Sequence, residues 1–153
     1  MPKSIIVIVG SVLLLASCGG AMSEGPPASG SDPAAAILHD TLWQLESLGS
    51  AEGMQTAIPG SEVTAIVTPG AEPQISGNAG CNTYSARVMQ QGEAISFEAA
   101  VSTKRYCTTA GVMEQEEAFF RLLESVRRYT IEGDRLRLQD AGGVTVLTFR
   151  ARL

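Results

Sequence analysis

The sequence predicts an α+β domain that is mainly β, with one amphipathic helix packed on an antiparallel sheet. First, apolar and polar residues alternate from about residue 38 to the end of the chain. Second, turn residues such as Gly, Pro, Asn and Asp interrupt this alternation at short intervals, as in small antiparallel proteins. Third, apolar residues recur at helical spacing in one stretch, near residues 110–128.

Five short strands are predicted before the helix. The first places Trp43 and Leu45 on one face, and a short helix is an open alternative for it. Residues 49–60 are predicted to form a loop, and residues 90–93 a hairpin turn. The five strands are predicted at residues 41–48, 63–67, 74–76, 83–89 and 94–97.

The helix is predicted over about residues 110–128. Glutamates occupy its first turns, Arg127 and Arg128 its last, and this charge order complements the helix dipole. Thr108 or Thr109 is the predicted N-cap. The apolar stripe that would face the sheet contains Val112, Phe119, Leu123 and Val126. Three further strands, at residues 129–131, 135–138 and 144–149, then close the chain as a β-meander.

The N-terminus has the pattern of a lipoprotein signal peptide, residues 1–17. Its apolar run, residues 5–15, is too short to cross a hydrocarbon core of ~30 Å as a helix. The run ends in Leu15-Ala16-Ser17-Cys18, which resembles the lipobox of bacterial lipoproteins, and Cys18 is the predicted lipidation site. An ordinary secretory cleavage site with a chance cysteine is the alternative. Gly19, rather than Asp, resembles the outer-membrane default of Gram-negative lipoproteins.

Residues 18–37 are predicted to be a flexible tether because Gly, Pro, Ser and Ala dominate them. The domain is predicted at residues 38–153. The net charge is −5, and loss of Lys3 with the leader makes the mature chain one charge more negative. An acidic chain is not drawn to nucleic acid or to anionic headgroups. Lipid on Cys18 is therefore the expected attachment to the membrane, and no nucleic-acid partner is expected.

Catalytic and metal sites are not indicated. His39 is the only histidine, and it lies beside the tether. The acidic residues are spread over turns and over the exposed helix face, where a solvated surface is the simplest interpretation. Ligand spacing for a metal, a phosphate loop and a dinucleotide fingerprint are all absent from the sequence. We therefore expect no enzyme activity, no metal and no cofactor.

Cys81 and Cys107 are the two cysteines left once Cys18 is lipidated. In an oxidising compartment they favour one structural disulfide, which would contribute roughly 3.5 kcal/mol in the chain-entropy model. Free buried thiols and a reactive cysteine are the alternatives. The spacing is not C-x-x-C and no nearby histidine activates either thiol, so the disulfide is preferred.

The residues around these cysteines resemble the META/HslJ-like domain family. Residues 77–84 match its G-x-x-G-C-N-x-[YF] signature, residues 103–107 its T-x-x-x-C segment, and Trp43 with Leu45 its opening W-x-L. The likeness covers about residues 38–151. It implies a curved antiparallel sheet or partial barrel with a helix packed on it, and it implies no reaction. Members of this family are associated with heat shock and antibiotic resistance. Their fold resembles that of the pilot lipoproteins that escort secretins.

Within the signature, Gly77 and Gly80 are expected to serve a tight turn or bulge, through positive φ or close backbone approach, and the Asn82 side chain to cap that turn. The expected function is a non-enzymatic, lipid-anchored envelope protein, facing the periplasm from the outer membrane. It would contribute to stress tolerance by binding a polypeptide or a small apolar ligand. One alternative is a pilot-like assembly factor for an outer-membrane secretion component. A less favoured one is an envelope hydrolase or thiol enzyme.

Overall fold

Ten strands and one helix make up residues 37–152, the part of the chain that the computed structural model describes. The strands before the helix are β1 (Leu42–Ser50), β2 (Gly53–Thr56), β3 (Thr64–Thr68), β4 (Gln74–Asn78), β5 (Thr83–Gln91), β6 (Ala94–Phe97) and β7 (Val101–Ser102). The helix is α1 (Val112–Ser125). The closing strands are β8 (Arg128–Glu132), β9 (Arg135–Gln139) and β10 (Thr145–Arg152).

The strands form a ring-like antiparallel sheet. Its order is β10-β9-β8-β6-β5-β4-β3-β1-β2, and β10 pairs back onto β1 from Leu42↔Arg152 to Leu48↔Leu147. The join between β6 and β8 is a single residue pair, Ala94↔Arg128, so the ring is not a true barrel. The predicted curved antiparallel sheet with one helix packed on it is confirmed.

The core lies between the inward face of this sheet and α1. Trp43 and Leu45 alternate with half-buried neighbours, and the Trp43 side chain is fully buried. Its indole Nε1–H donates a hydrogen bond to the Leu38 carbonyl at 3.1 Å. The first element is therefore a strand, and the alternative of a short helix is wrong. Phe119 of α1 packs edge-on against Phe149 of β10, with ring centroids 6.5 Å apart.

Two strands were not expected. β2 lies inside residues 49–60, where a loop is predicted, and pairs with the end of β1 from Ser47↔Thr56 to Ser50↔Gly53. β7 is only two residues long and pairs with β5. All four residues of β2 are exposed, so no alternation of buried and exposed positions marks it in the sequence. The other predicted strands are all present, with ends moved by three residues or fewer.

The helix is shorter than predicted at both ends. The helix ends at Ser125, because Val126 is extended at φ −62° and ψ 136°. Arg128 is the first residue of β8. The prediction that Arg128 lies in the last turn and complements the helix dipole is therefore wrong. The Arg127 guanidinium donates to the carbonyls of Glu124 and Val126 instead. The N-cap is Gly111 at φ 78°, without a side-chain cap. The capping role predicted for Thr108 or Thr109 is therefore also wrong.

Candidate functional site

The G-x-x-G-C-N signature forms the end of β4 and the turn into β5. A Cβ atom on Gly77 would lie 2.0 Å from the carbonyl oxygen of Thr64 in β3, so no side chain fits there. Gly80 has a φ of 112°, which side-chain-bearing residues rarely adopt. The turn is capped by Asn78, whose Oδ1 accepts the Gly80 N–H at 2.8 Å. Gly77 is thus required by the close approach of the β3 backbone, and Gly80 by its positive φ.

Asn82 does not cap this turn, and that prediction is wrong. Its side chain is buried and reaches across to the segment that contains the second cysteine. Oδ1 accepts the Thr103 hydroxyl at 2.8 Å and the Arg105 N–H at 2.7 Å. Nδ2 donates to the Arg105 carbonyl at 3.2 Å and to Glu116 Oε1 at 2.7 Å. Asn82 therefore fastens residues 103–105 to the end of the sheet and to the helix.

Glu116 is a buried carboxylate, whereas the sequence predicts a solvated surface for the glutamates of the helix, and that prediction is wrong for this residue. Its Oε2 accepts the N–H groups of Cys81 at 3.2 Å and Asn82 at 2.8 Å. Among the described residues no Lys or Arg forms a salt bridge with it. Three N–H donors therefore replace the cation that a buried carboxylate otherwise requires. The missed signal is spacing, since Glu116 follows Val112 by four residues and precedes Phe119 by three.

Cys81 and Cys107 are joined by a disulfide, with their Cα atoms 5.9 Å apart. The Arg105 guanidinium donates to the Cys81 carbonyl, which ties the same segment a second time. The Tyr106 side chain, between these ties, is 82% exposed. A depression of about 560 Å³ adjoins the segment, and Lys104 and Glu117 are among its charged lining residues. In the oxidised form neither sulfur is available as a thiolate nucleophile.

A groove of about 640 Å³ runs between the β1–β2 hairpin and α1. The hairpin supplies one wall along the whole length of β2. The helix supplies the other wall, from Gly111 to Leu122. The apolar part of the lining consists of Leu48, Met54, Ile58, Ala118 and Leu122. Met54 is 41% exposed, so a large apolar side chain faces solvent at this site.

Three charged residues line the groove, and their balance is negative. Glu52 and Glu114 form no salt bridge among the described residues, whereas Arg121 lies 3.5 Å from Glu117 on the next turn of the helix. The pKa of Glu52 is lowered because its carboxylate accepts hydrogen bonds from the Ser50 hydroxyl and from the Glu52 backbone N–H. Glu52 is therefore a carboxylate at neutral pH, and the groove offers negative charge beside apolar surface.

Gln115 holds the groove in shape. It is buried, and its Oε1 accepts the Ile58 N–H at 2.7 Å while its Nε2 donates to the Ser61 hydroxyl at 2.9 Å. These two bonds attach the loop that follows β2 to the first turns of α1. The hairpin wall of the groove is thus anchored at one end, and within residues 37–152 no strand pairs with the outer side of β2.

His39 and Tyr84 each have a hydrogen-bond partner within the described residues. The His39 Nε2 lies 3.0 Å from the Gln90 amide oxygen, in an exposed position. No group of three or more His, Cys, Asp and Glu side chains within residues 37–152 is arranged to hold a metal ion. Burial raises the pKa of Tyr84 far above its ordinary value, and its hydroxyl donates to the Thr64 carbonyl at 3.1 Å. Tyr84 therefore stays protonated and serves the core.

The predicted leader, Cys18 and all but the last residue of the predicted tether lie outside the described residues. In the part of the chain that is described, no helix has the length and apolar character needed to span a bilayer.

The solved structures that are similar to this chain include two NMR structures. An NMR structure of a protein from Burkholderia xenovorans is 27% identical, with a TM-score of 0.62, and the match covers 75% of this chain and 83% of that one. A second NMR structure, 18% identical over 74% of this chain and 90% of that one, has a TM-score of 0.51 and shows the fold alone. A search of curated proteins finds no match. The META domain model matches residues 36–153, and the chain therefore belongs to the META domain family.

Proposed function

We propose that this chain is a lipid-anchored envelope protein without enzyme activity, which binds a polypeptide or a small apolar ligand in the groove between the β1–β2 hairpin and α1. The groove is the single observation that carries the proposal. Its volume of about 640 Å³ falls in the range of ligand sites, and apolar side chains from both walls face it. Met54 and Leu122 supply apolar contact area from opposite sides.

The anchor in this proposal is lipid on Cys18, at the end of the lipobox-like residues 15–18. Two or more acyl chains give stable attachment, whereas one gives only marginal binding. We place the domain at the outer membrane, facing the periplasm, because Gly19 follows the lipidated cysteine. A binding role there agrees with the expectation that the protein supports envelope stress tolerance.

A pilot-like assembly factor is the second candidate, and the groove favours it too. A pilot must hold one segment of a secretion component while its lipid directs the complex to a membrane. The two candidates differ in how far the interaction depends on Cys18, because a pilot without its lipid has no destination to give its partner. A general binding protein needs the lipid only to stay near the membrane.

Site-specific photo-crosslinking in intact envelopes tests the groove. A photoreactive amino acid replaces Met54 in the groove and, as the matched control, Met89, which is 55% exposed and lies outside the groove. We expect adducts at position 54 and none at position 89. Equal labelling at both positions, or none at either, contradicts the proposal. The same experiment with Cys18→Ala separates the candidates, since only the pilot role predicts that delivery of the partner to the membrane stops.

Thiol labelling addresses the enzyme alternative. The unreduced, folded chain should take up no thiol reagent at Cys81 or Cys107, because both sulfurs are in the disulfide. After reduction and denaturation both positions should react. Efficient labelling of the folded, unreduced chain would contradict the proposal and favour a thiol enzyme.

A further inference from the structure

In the described part of the chain, β2 is the end strand of the sheet and no other strand pairs with its outer side. Among the strands of residues 37–152, β2 has β1 as its only neighbour, whereas β1 itself is paired on both sides. The Ala57 N–H donates to the Glu46 carbonyl at 2.9 Å, so Ala57 and Glu46 form a hydrogen-bonded pair. The next pair, Thr56 with Ser47, is then a non-hydrogen-bonded one, and the two kinds alternate along β2. Because antiparallel partners alternate between bonded and non-bonded pairs, the N–H and C=O groups of Met54 and Thr56 point away from β1.

Apart from its short length of four residues, β2 lacks the features that commonly protect an open edge. Exposed edge strands are commonly blocked by a lysine, a proline or a bulge that prevents another strand from pairing. β2 reads Gly-Met-Gln-Thr, with no charge and no proline, and each of its four residues is exposed. The edge therefore presents two donors and two acceptors to an extended chain that lies alongside it.

Charge decides which chain fits. The groove bordered by this strand contains Glu52 and Glu114, which have no salt-bridge partner among the described residues. Arg121 is the one cation among the described residues that line the groove, and it forms an ion pair with Glu117. A basic side chain would complete this arrangement, while an acidic one would be repelled. The apolar residues of the two walls would contact the peptide side chains that flank this basic residue.

We infer that the groove binds an extended segment of another polypeptide, which pairs with the outer edge of β2, packs apolar side chains against α1 and directs a Lys or Arg to Glu52 and Glu114. This inference rests on the proposed function, because it names the partner and the binding mode of the same groove. Main-chain hydrogen bonds supply affinity in strand addition, and pockets for alternate side chains supply specificity. With only Met54 and Thr56 offering backbone groups, the side chains decide which segments are accepted.

A phage-displayed library of random peptides, selected against the detergent-solubilised full chain, tests this inference. We expect enriched peptides to alternate apolar residues and to contain a Lys or Arg. In a synthetic copy of an enriched peptide, N-methylation of alternate backbone amides should weaken binding about tenfold, since the edge loses its partners while the side chains remain. Glu52→Gln with Glu114→Gln should weaken binding about three- to tenfold, and added salt should have a similar effect.

Controls separate this inference from the proposed function. Glu98→Gln with Glu124→Gln removes two exposed carboxylates outside the groove and should leave affinity unchanged. Peptides that are lost with Met54→Ser but tolerate N-methylation would overturn strand pairing and leave groove binding intact. Enrichment without basic residues would overturn the role of Glu52 and Glu114. A library that yields no peptide overturns the inference as a whole, while crosslinking at position 54 still judges the proposed function.

Discussion

Two neighbouring residues at the start of α1, Gln115 and Glu116, are both buried and polar, yet they serve opposite sides of the helix. Glu116 belongs to the closed side, which comprises the glycine signature, residues 103–107 and the disulfide. Gln115 belongs to the open side, which comprises the β1–β2 hairpin, the loop after it and the groove. On the closed side a covalent bond and buried hydrogen bonds hold the chain together. On the open side two hydrogen bonds hold one end of a wall.

The two sides differ in what they leave accessible to a ligand. The closed side has its buried polar atoms paired, so a ligand there would have to displace existing bonds. The open side keeps backbone groups and apolar surface accessible to solvent. Substitutions on the closed side should therefore lower the free energy of unfolding, whereas substitution of an exposed groove residue such as Met54 should change binding with little effect on stability.

The largest effect is expected from removal of the disulfide. Cys81→Ala with Cys107→Ala should lower the free energy of unfolding by about 3.5 kcal/mol, because the unfolded chain regains the entropy of an open loop. Urea unfolding of the detergent-solubilised full chain measures the change. A reducing agent should reproduce most of it in the natural chain and leave the variant unaffected. A variant as stable as the natural chain would show that the hydrogen bonds alone hold the closed side.

Glu116→Gln should lower the free energy of unfolding by about 2 kcal/mol. The amide nitrogen of the new side chain would face N–H donors that the carboxylate now satisfies. The matched control is Glu117→Gln, one residue further on and exposed, which should change stability by less than about 0.5 kcal/mol. Thermal unfolding of both variants checks the prediction. Equal effects at the two positions would mean that Glu116 is as solvated as its neighbour.

Tyr84 gives the closed side a dependence on alkaline pH. Burial raises the pKa of Tyr84, so the folded chain keeps this proton above about pH 10, where the unfolded chain loses it. Stability is therefore fully present below about pH 10 and falls as the pH rises beyond it. Tyr84→Phe should lower stability by about 1 kcal/mol at neutral pH and flatten the alkaline decline. Tyr106→Phe, at an exposed position, is the control and should do neither.

The smallest effect on stability is expected in the groove. Met54→Ser should change the free energy of unfolding by less than about 0.5 kcal/mol, because the side chain is already partly exposed. The same substitution should remove peptide binding, as measured by fluorescence polarisation with a labelled peptide from the library. Met89→Ser should leave both quantities unchanged. If Met54→Ser destabilises the chain as much as Glu116→Gln does, the division into a closed and an open side is wrong.

Much of the fold was predictable because it depends on local patterns. Alternation located most of the strands, helical spacing located α1, and the positions of Gly77 and Gly80 marked the turn. The candidate site was less predictable. β2 is exposed on both faces, so no alternation of apolar and polar residues marks it as a strand. Glu116 lies on the apolar stripe of the helix, yet its charge predicts exposure to solvent. The Asn82 side chain is predicted to cap its own turn, but it bonds instead to Thr103, Arg105 and Glu116.

Residue type and short-range periodicity account for eight of the ten strands, for the helix and for the two glycines of the turn between β4 and β5. The closure of the ring, the hydrogen-bond donors of Glu116 and the shape of the groove depend instead on tertiary contacts. The pairing Leu42↔Arg152, the contact of Glu116 with Asn82 and the bond of Gln115 to Ile58 all link residues far apart in the chain. Such contacts depend on packing between elements, which no local pattern encodes.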